Sequence, residues 1–571
     1  TMEWARQPDP ERRPEWDKIK KPSEALAKGD VIEVRVAGRK FVSERLADKL
    51  RELKKAKGKK YERPEAVPDF AEHALLFLEQ EPEAEAALVS IDQKTEDLIA
   101  MVGGYDFERS EFNRAIQAAR QTGSSFKSLV YAAALDKGYS PATPIVDAPV
   151  VYEEEKEPEE GEEPEEEPEI RKWKPTNHSH KFRGDILFRN ALIKSLNVPT
   201  VKIIEDIGVN WVATYARRLG IFSPLNLDFT LALGSSGITP YEMTKVFSQI
   251  GRMGQRTKPL IIHRVESQDG EILLENVSLD ERFEDELAPI EREFEMRRLA
   301  VLEFKKHNPN SDFNPDEKTA ATVVNASRMV AQVDEATAQS RNETTDNSTN
   351  NSKEPASPNN AQAKFAENGN PLPPPQLSDK QKQNAAQGYL ALREETINLD
   401  KEPPIFFKDP DQLIRPETAY ITTTLLQGVI EEGTGRRARS LGRPVAGKTG
   451  TTNGYYDAWF AGFTTDVATS VWVGFDEEKS LGKGEVGGRA ALPIWLEYMQ
   501  FAHKNQPVKN FPVPSGVVFA NIDNETGKLA SAKSEEVIRQ AFIDGTEPQE
   551  VSSEVIGMDE DKNFYKEELS Q

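Results

Sequence analysis

From about residue 335 to 385 the chain is rich in Asn, Ser, Thr, Gln and Pro and poor in large apolar side chains. Ordering a residue costs roughly 1–2 kcal/mol of backbone entropy. A stretch of this composition has little apolar surface with which to offset that cost. It is therefore expected to stay mobile, and it separates two blocks that do carry strand and helix signals. The whole sequence of 571 residues is 37% hydrophobic and 30% charged, which is poor for one continuous core. Length suggests roughly three to four domains at about 150 residues each.

The formal net charge of −23 argues against a general nucleic-acid binder and against docking on anionic lipid, since both would be repelled. With no cysteine, disulfides, thiol catalysis and cysteine zinc sites are excluded. No apolar run is long enough to span a bilayer, and no targeting segment is visible at the opening Thr1-Met2-Glu3-Trp4, so the sequence reads as a fragment. Residues 153–169 hold twelve Glu with interspersed Pro, the pattern of a solvated, self-repelling loop; a gate or partner-binding strip is the sharper alternative. The sequons at Asn342 and Asn347 lie in a tract where chance matches are expected.

Period-two alternation over 30–36 predicts a strand in a small β-rich N-terminal segment, with a helix-rich basic stretch at 43–60. Residues 86–102 read as a hairpin turning at 92–95. Helical patterns follow Gly123 and recur over 188–219, 290–304 and 416–430, and strands are expected at 443–446, 458–463 and 469–475.

Three short motifs could build one site. Ser124 and Lys127 form an S-x-x-K at a helix start, one turn apart on a shared face, where free N–H groups favour negative charge and a neutral lysine could take the serine proton. Ser195 and Asn197 form an S-x-N after a helical stretch; the hydroxyl can relay a proton and the amide can orient a carbonyl. Lys448, Thr449, Gly450 and Thr451 follow a strand-like run. There Lys448 and Gly450 share a face, leaving room for a substrate over the glycine, and Lys448 can pair with a carboxylate or depress the pKa of Lys127. Each motif alone also fits a capped helix, a helix-end turn or a surface turn. Their joint occurrence in this order is far more specific.

That set resembles the signature of β-lactamases and penicillin-binding proteins, and the blocks around it extend the likeness. Residues 86–135, 190–201 (NALIKSLNVPTV), 231–243 (LALGSSGITPYEM), 431–437 (EEGTGRR), 445–463 (VAGKTGTTNGYYDAWFAGF), 487–495 (GGRAALPIW) and 514–547 are similar to class A penicillin-binding proteins. The resemblance implies an α/β fold of the α+β type, with a central antiparallel sheet flanked by helices as in serine β-lactamases and D,D-transpeptidases. It also implies a division into an oligosaccharide/oligonucleotide-fold-like module at 1–66, a transpeptidase domain at 67–276 and 412–515, an insertion at 277–411 and a C-terminal extension at 516–571. Ser124 would be acylated by D-Ala-D-Ala stem peptides of peptidoglycan, or by β-lactams, with Lys127 as base. Ser195 and Asn197 would relay protons and hold the peptide. Lys448, Thr449 and Thr451 would bind the substrate carboxylate, and the N–H groups of Ser124 and Thr451 would form the oxyanion hole.

The implied enzyme needs no cofactor or metal and works outside the cytoplasm, on the periplasmic face of the inner membrane. The family's membrane helix and glycosyltransferase domain are expected outside this chain, and other cell-wall synthesis proteins are admissible partners. Two departures from the family stand out, Thr122 for Pro and Glu96 for Gly. Against this reading stand a P-loop over 442–449, which lacks the required preceding strand and following helix, and a metal pair at His178 and His180, which lacks supporting ligands. A β-lactam sensor or non-catalytic peptidoglycan-binding scaffold would carry the same motif residues; a carboxypeptidase or a β-lactamase would use similar parts.

Overall fold

The run EAALVSID forms β1 (Glu85–Asp92), and LIAMV forms β2 (Leu98–Val102) beside it. The turn between them is set by Asp92, whose carboxylate accepts from Lys94 N at 2.8 Å and Thr95 N at 2.9 Å. Glu96 takes a left-handed φ of 67°, a conformation costly for a residue with a side chain. Its carboxylate is held by Arg252 at 2.7 Å and Lys258 N at 2.6 Å, which offsets the strain where a glycine would have none.

The computed structural model describes residues 22–38, 44–58, 75–155, 170–283 and 411–552, with Ile19, Asp285 and Ala288. The tract 335–385, the helix expected at 290–304 and nearly all of the acidic run lie outside the described residues.

The later block supplies β3 (Ala446–Thr451), β4 (Asp457–Phe463) and β5 (Val467–Gly474). These join the hairpin in one antiparallel sheet of order β3-β4-β5-β1-β2, with Val467 opposite Asp92 and Lys448 opposite Ala461. Every residue of β4 is buried. Alternate side chains enter different layers, because successive strand residues point to opposite faces. Trp459, Ala461 and Phe463 join the main core, while Phe460 packs with Leu492, Trp495 and Met499. Burying each such side chain contributes roughly 1.5–3 kcal/mol.

The helices that matter for the site are α1 (Lys127–Asp136), α2 (Phe188–Ile193), α3 (Asn197–Ile207), α4 (Pro240–Gly251), α5 (Pro416–Glu431) and α6 (Ala491–Ala502). In α1 every residue from Lys127 to Leu135 is buried, so it is a central helix rather than an amphipathic surface one. Thr239 and Glu242 form a capping box that starts α4.

At the N-terminal side, Glu33–Gly38 pairs antiparallel with Leu75–Glu79, and Glu44–Lys57 is helical. The partner strand lies beyond residue 66, so this ribbon reaches across the expected module boundary. At the C-terminal side, Val517–Asp523 pairs with Val537–Ile543. Buried Arg189 of α2 ties this pair to the core, donating to Asn524 Oδ1 at 2.7 Å and Gln540 Oε1 at 3.1 Å. Among the described residues no helix is long and apolar enough to cross a membrane.

Candidate active site

A single 3₁₀ turn, Gly123–Ser125, precedes α1 and lies against the outer edge of β3. The approach is backbone to backbone. Gly123 has a φ of 52°, and a methyl on it would overlap the main chain of Thr451; a methyl on Gly450 would overlap Thr122 O and crowd Ser125 Oγ. The expectation of a substrate over the Gly450 side is therefore corrected: the space freed by the missing side chain is filled by the chain's own 122–125 turn.

Thr452 N donates to Asp457 O at 3.1 Å. In the unbroken antiparallel register, residues 448, 450 and 452 then bond toward β4, and the N–H groups of Thr449 and Thr451 face the open edge. Thr451 N–H is thus left out of the ladder on the side where the turn packs.

Within the turn the two serines differ. Ser125 is fully buried and donates to Thr122 O at 2.7 Å. Ser124 is partly exposed, and its hydroxyl makes no hydrogen bond among the described residues.

Lys127, the first residue of α1, is sealed from solvent. Its Nζ donates to Ser195 O at 3.0 Å, Leu196 O at 2.9 Å and Asn197 Oδ1 at 2.7 Å. These acceptors take all three protons of an ammonium and favour the charged form. Complete burial opposes it, the positive charge of Lys448 adds to that, and together they hold the Lys127 pKa well below the ordinary lysine value. The amine is thus bound to the 195–197 segment rather than to Ser124.

Lys448 is equally buried, where an open, ligand-facing position was expected. It donates to Ser195 Oγ at 2.8 Å and Thr449 O at 3.0 Å, and burial lowers its pKa to about 7. Ser195 thus serves both amines, its carbonyl for Lys127 and its hydroxyl for Lys448. It does so at a φ of 55°, a strain of about 1–3 kcal/mol.

The three motifs come together through these contacts. Lys448 sits inside a strand rather than at a loop–helix junction, which rules out the P-loop geometry. Several neighbours carried no role in the sequence reading. Asn177 Oδ1 accepts from Asn197 N at 2.9 Å; Thr434 and Thr449 hydroxyls bond at 2.6 Å; Gly487 N donates to Thr451 Oγ1 at 3.0 Å. Thr434 and Gly487 lie in blocks whose likeness to the family was visible, whereas Asn177 stood outside those blocks. His178, weighed as a metal ligand, meets the Tyr455 ring edge-on at 6.5 Å.

The family model for the penicillin-binding protein transpeptidase domain matches residues 86–348 and 355–499, and that for the penicillin-binding protein 1A C-terminal domain matches 513–556. Penicillin-binding protein 1A of Pseudomonas aeruginosa is 32% identical over 463 residues, 81% of this chain and 45% of that protein. The Neisseria gonorrhoeae protein of the same name is 31% identical over 445 residues, 77% of this chain and 39% of that one. The crystal structure of penicillin-binding protein 1A from Haemophilus influenzae matches with a TM-score of 0.55 at 24% identity, covering 85% of this chain and 56% of that one. The chain spans less than half the length of these curated relatives. Taken with the assembled motifs, the match over most of its residues means that this chain belongs to the penicillin-binding protein transpeptidase family.

Proposed function

We propose that this chain is a serine D,D-transpeptidase acting on peptidoglycan stem peptides. The observation that carries the reading is a partly exposed serine one turn from a sealed lysine amine that has no carboxylate partner among the described residues. Ser124 Oγ attacks the carbonyl of the penultimate D-Ala as its proton passes to neutral Lys127. The tetrahedral oxyanion is met by the N–H groups of Ser124 and Thr451. The C–N bond then breaks, and the departing D-Ala amine takes a proton delivered through Lys127 and Ser195. In the second half the amino group of a neighbouring stem attacks the ester, loses a proton by the same route and frees Ser124. The resting Lys127 must give up one acceptor and one proton before it can act as base, and its depressed pKa favours that loss.

Lys448, Thr449 and Thr451 bind the terminal carboxylate of the donor stem, and a β-lactam enters the same path to leave a stable acyl-enzyme. The work site is the periplasmic face of the inner membrane. Other cell-wall synthesis proteins are admitted as partners.

Intact-mass measurement after penicillin treatment tests the reading. One covalent equivalent is expected on the parent. None is expected on Ser124→Ala, and Ser125→Ala should label nearly as fast as the parent because its hydroxyl is turned inward. An adduct that survives in folded Ser124→Ala overturns the assignment. Acylation without turnover of a stem peptide would leave a sensor instead.

A further inference from the structure

Asn197 makes two opposed amide contacts: Oδ1 accepts from Lys127 Nζ, and Nδ2 donates to Thr176 O at 2.8 Å. Only one orientation of the amide satisfies both, since a carbonyl oxygen cannot donate. The first turn of α3 has no cap from its own N-cap residue, Leu196. Asn177 supplies it from the preceding loop, its Oδ1 accepting from Asn197 N at 2.9 Å and Val198 N at 3.2 Å. Asn177 is itself locked. Its Nδ2 donates to Asp147 Oδ1 at 2.8 Å, Asp147 Oδ2 at 3.0 Å and Lys181 O at 3.0 Å. Asp147 is fully buried at the end of the strand Pro144–Asp147 and also accepts from Arg183 N at 3.0 Å.

We infer that Asn177, anchored on the buried Asp147 carboxylate, is a positioning residue for the reaction: it fixes the start of α3 and with it the face that Asn197 presents to Lys127. A carboxylate can only accept, so Asp147 forces the Asn177 amino group toward itself and the Asn177 oxygen toward α3. That in turn holds Asn197 N and Thr176 O in place, and the Asn197 oxygen is left facing the amine. The hydrogen-bond partners of the Asn177 side chain are Asp147, Lys181, Asn197 and Val198, not Ser124 or Lys127, so it acts through Asn197. Among the described residues the charged group acting on the Lys127 amine is Lys448 on β3.

The inference rests on the transpeptidase reading, and the rate constant of penicillin acylation as a function of pH separates the two. Two variants are needed, because full truncation would strand the Asp147 charge. Asn177→Ser keeps a hydroxyl acceptor for α3. Asp147→Asn keeps the shape but replaces one of the two acceptor oxygens by an amino group, so the Asn177 amide is no longer held in one orientation. Asp147→Asn is expected to slow acylation about ten- to a hundredfold and to move the acid limb of the pH profile downward, because Lys127 loses an acceptor that favours its charged form. Asn177→Ser should recover part of the rate. A parent that is never acylated sinks the transpeptidase reading. A parent that labels, with both variants labelling per folded molecule at the parent rate and with its pH profile, overturns this inference alone, whatever happens to their melting temperatures.

Discussion

Lys245 of α4 and the two site lysines, Lys127 and Lys448, are all hidden from solvent, yet only Lys245 is given a carboxylate. Its Nζ lies 2.6 Å and 2.7 Å from the two oxygens of Asp280, whose Oδ1 also accepts from Tyr241 OH at 2.9 Å. Burial depresses the Lys245 pKa, but Asp280 and then Glu242 pull it back up. At the site the partners are neutral: two carbonyls and an amide oxygen for Lys127, a hydroxyl and a carbonyl for Lys448. Taking an unpaired ion out of water costs several kcal/mol, and such a group sheds its charge instead. A buried lysine that braces the fold is thus given a counterion, whereas the two lysines of the candidate site meet neutral partners among the described residues.

The comparison breaks most visibly at Lys127. Lys127→Ala should lower the penicillin acylation rate on the order of a thousandfold while the protein still melts cooperatively. A folded variant that acylates at the parent rate would show that the missing counterion has no bearing on reactivity.

Asp280→Asn should do the reverse. Removing the carboxylate that balances buried Lys245 is expected to cost about 3–5 kcal/mol of stability, read from urea titration, with acylation per folded molecule unchanged. Equal damage to stability and rate would mean that α4 is part of the reactive unit and the division drawn here is false.

A third effect concerns pH. The Lys448 pKa is lowered from 10.5 to about 7 on folding, so between those values the unfolded chain binds more protons than the folded one. Stability from this group is therefore greatest above 10.5 and declines as pH falls toward 7, with a slope of at most about 1.4 kcal/mol per pH unit. Lys448→Met should remove that increment from the difference between parent and variant. Identical pH dependence in the two proteins would show that Lys448 keeps its charge on folding.

Local order carried much of this in the linear chain. The hairpin over 86–102, the strand holding Lys448 and the three motifs in order each depend on neighbours a few residues apart, and they are legible for that reason. Period two, turn residues and helix-start residues are encoded over such spans.

Other features could not be read this way. Nothing in Lys194-Ser195-Leu196-Asn197 signals a left-handed serine, since no glycine marks it; the neighbouring α2, α3 and both lysines impose that conformation together. Asn177 and Asp147 carry no periodic pattern, and their link to Asn197 exists only once the loop folds over α3. The sequence by itself determined which elements form, the order of the chemical groups and the family. The tertiary structure decided which buried lysine meets a carboxylate, that Gly450 makes room for the 122–125 turn, and that Thr451 N–H faces the open sheet edge. Those outcomes depend on what lies across space at a few ångströms, and the groups that meet there are 35 or more residues apart in the chain.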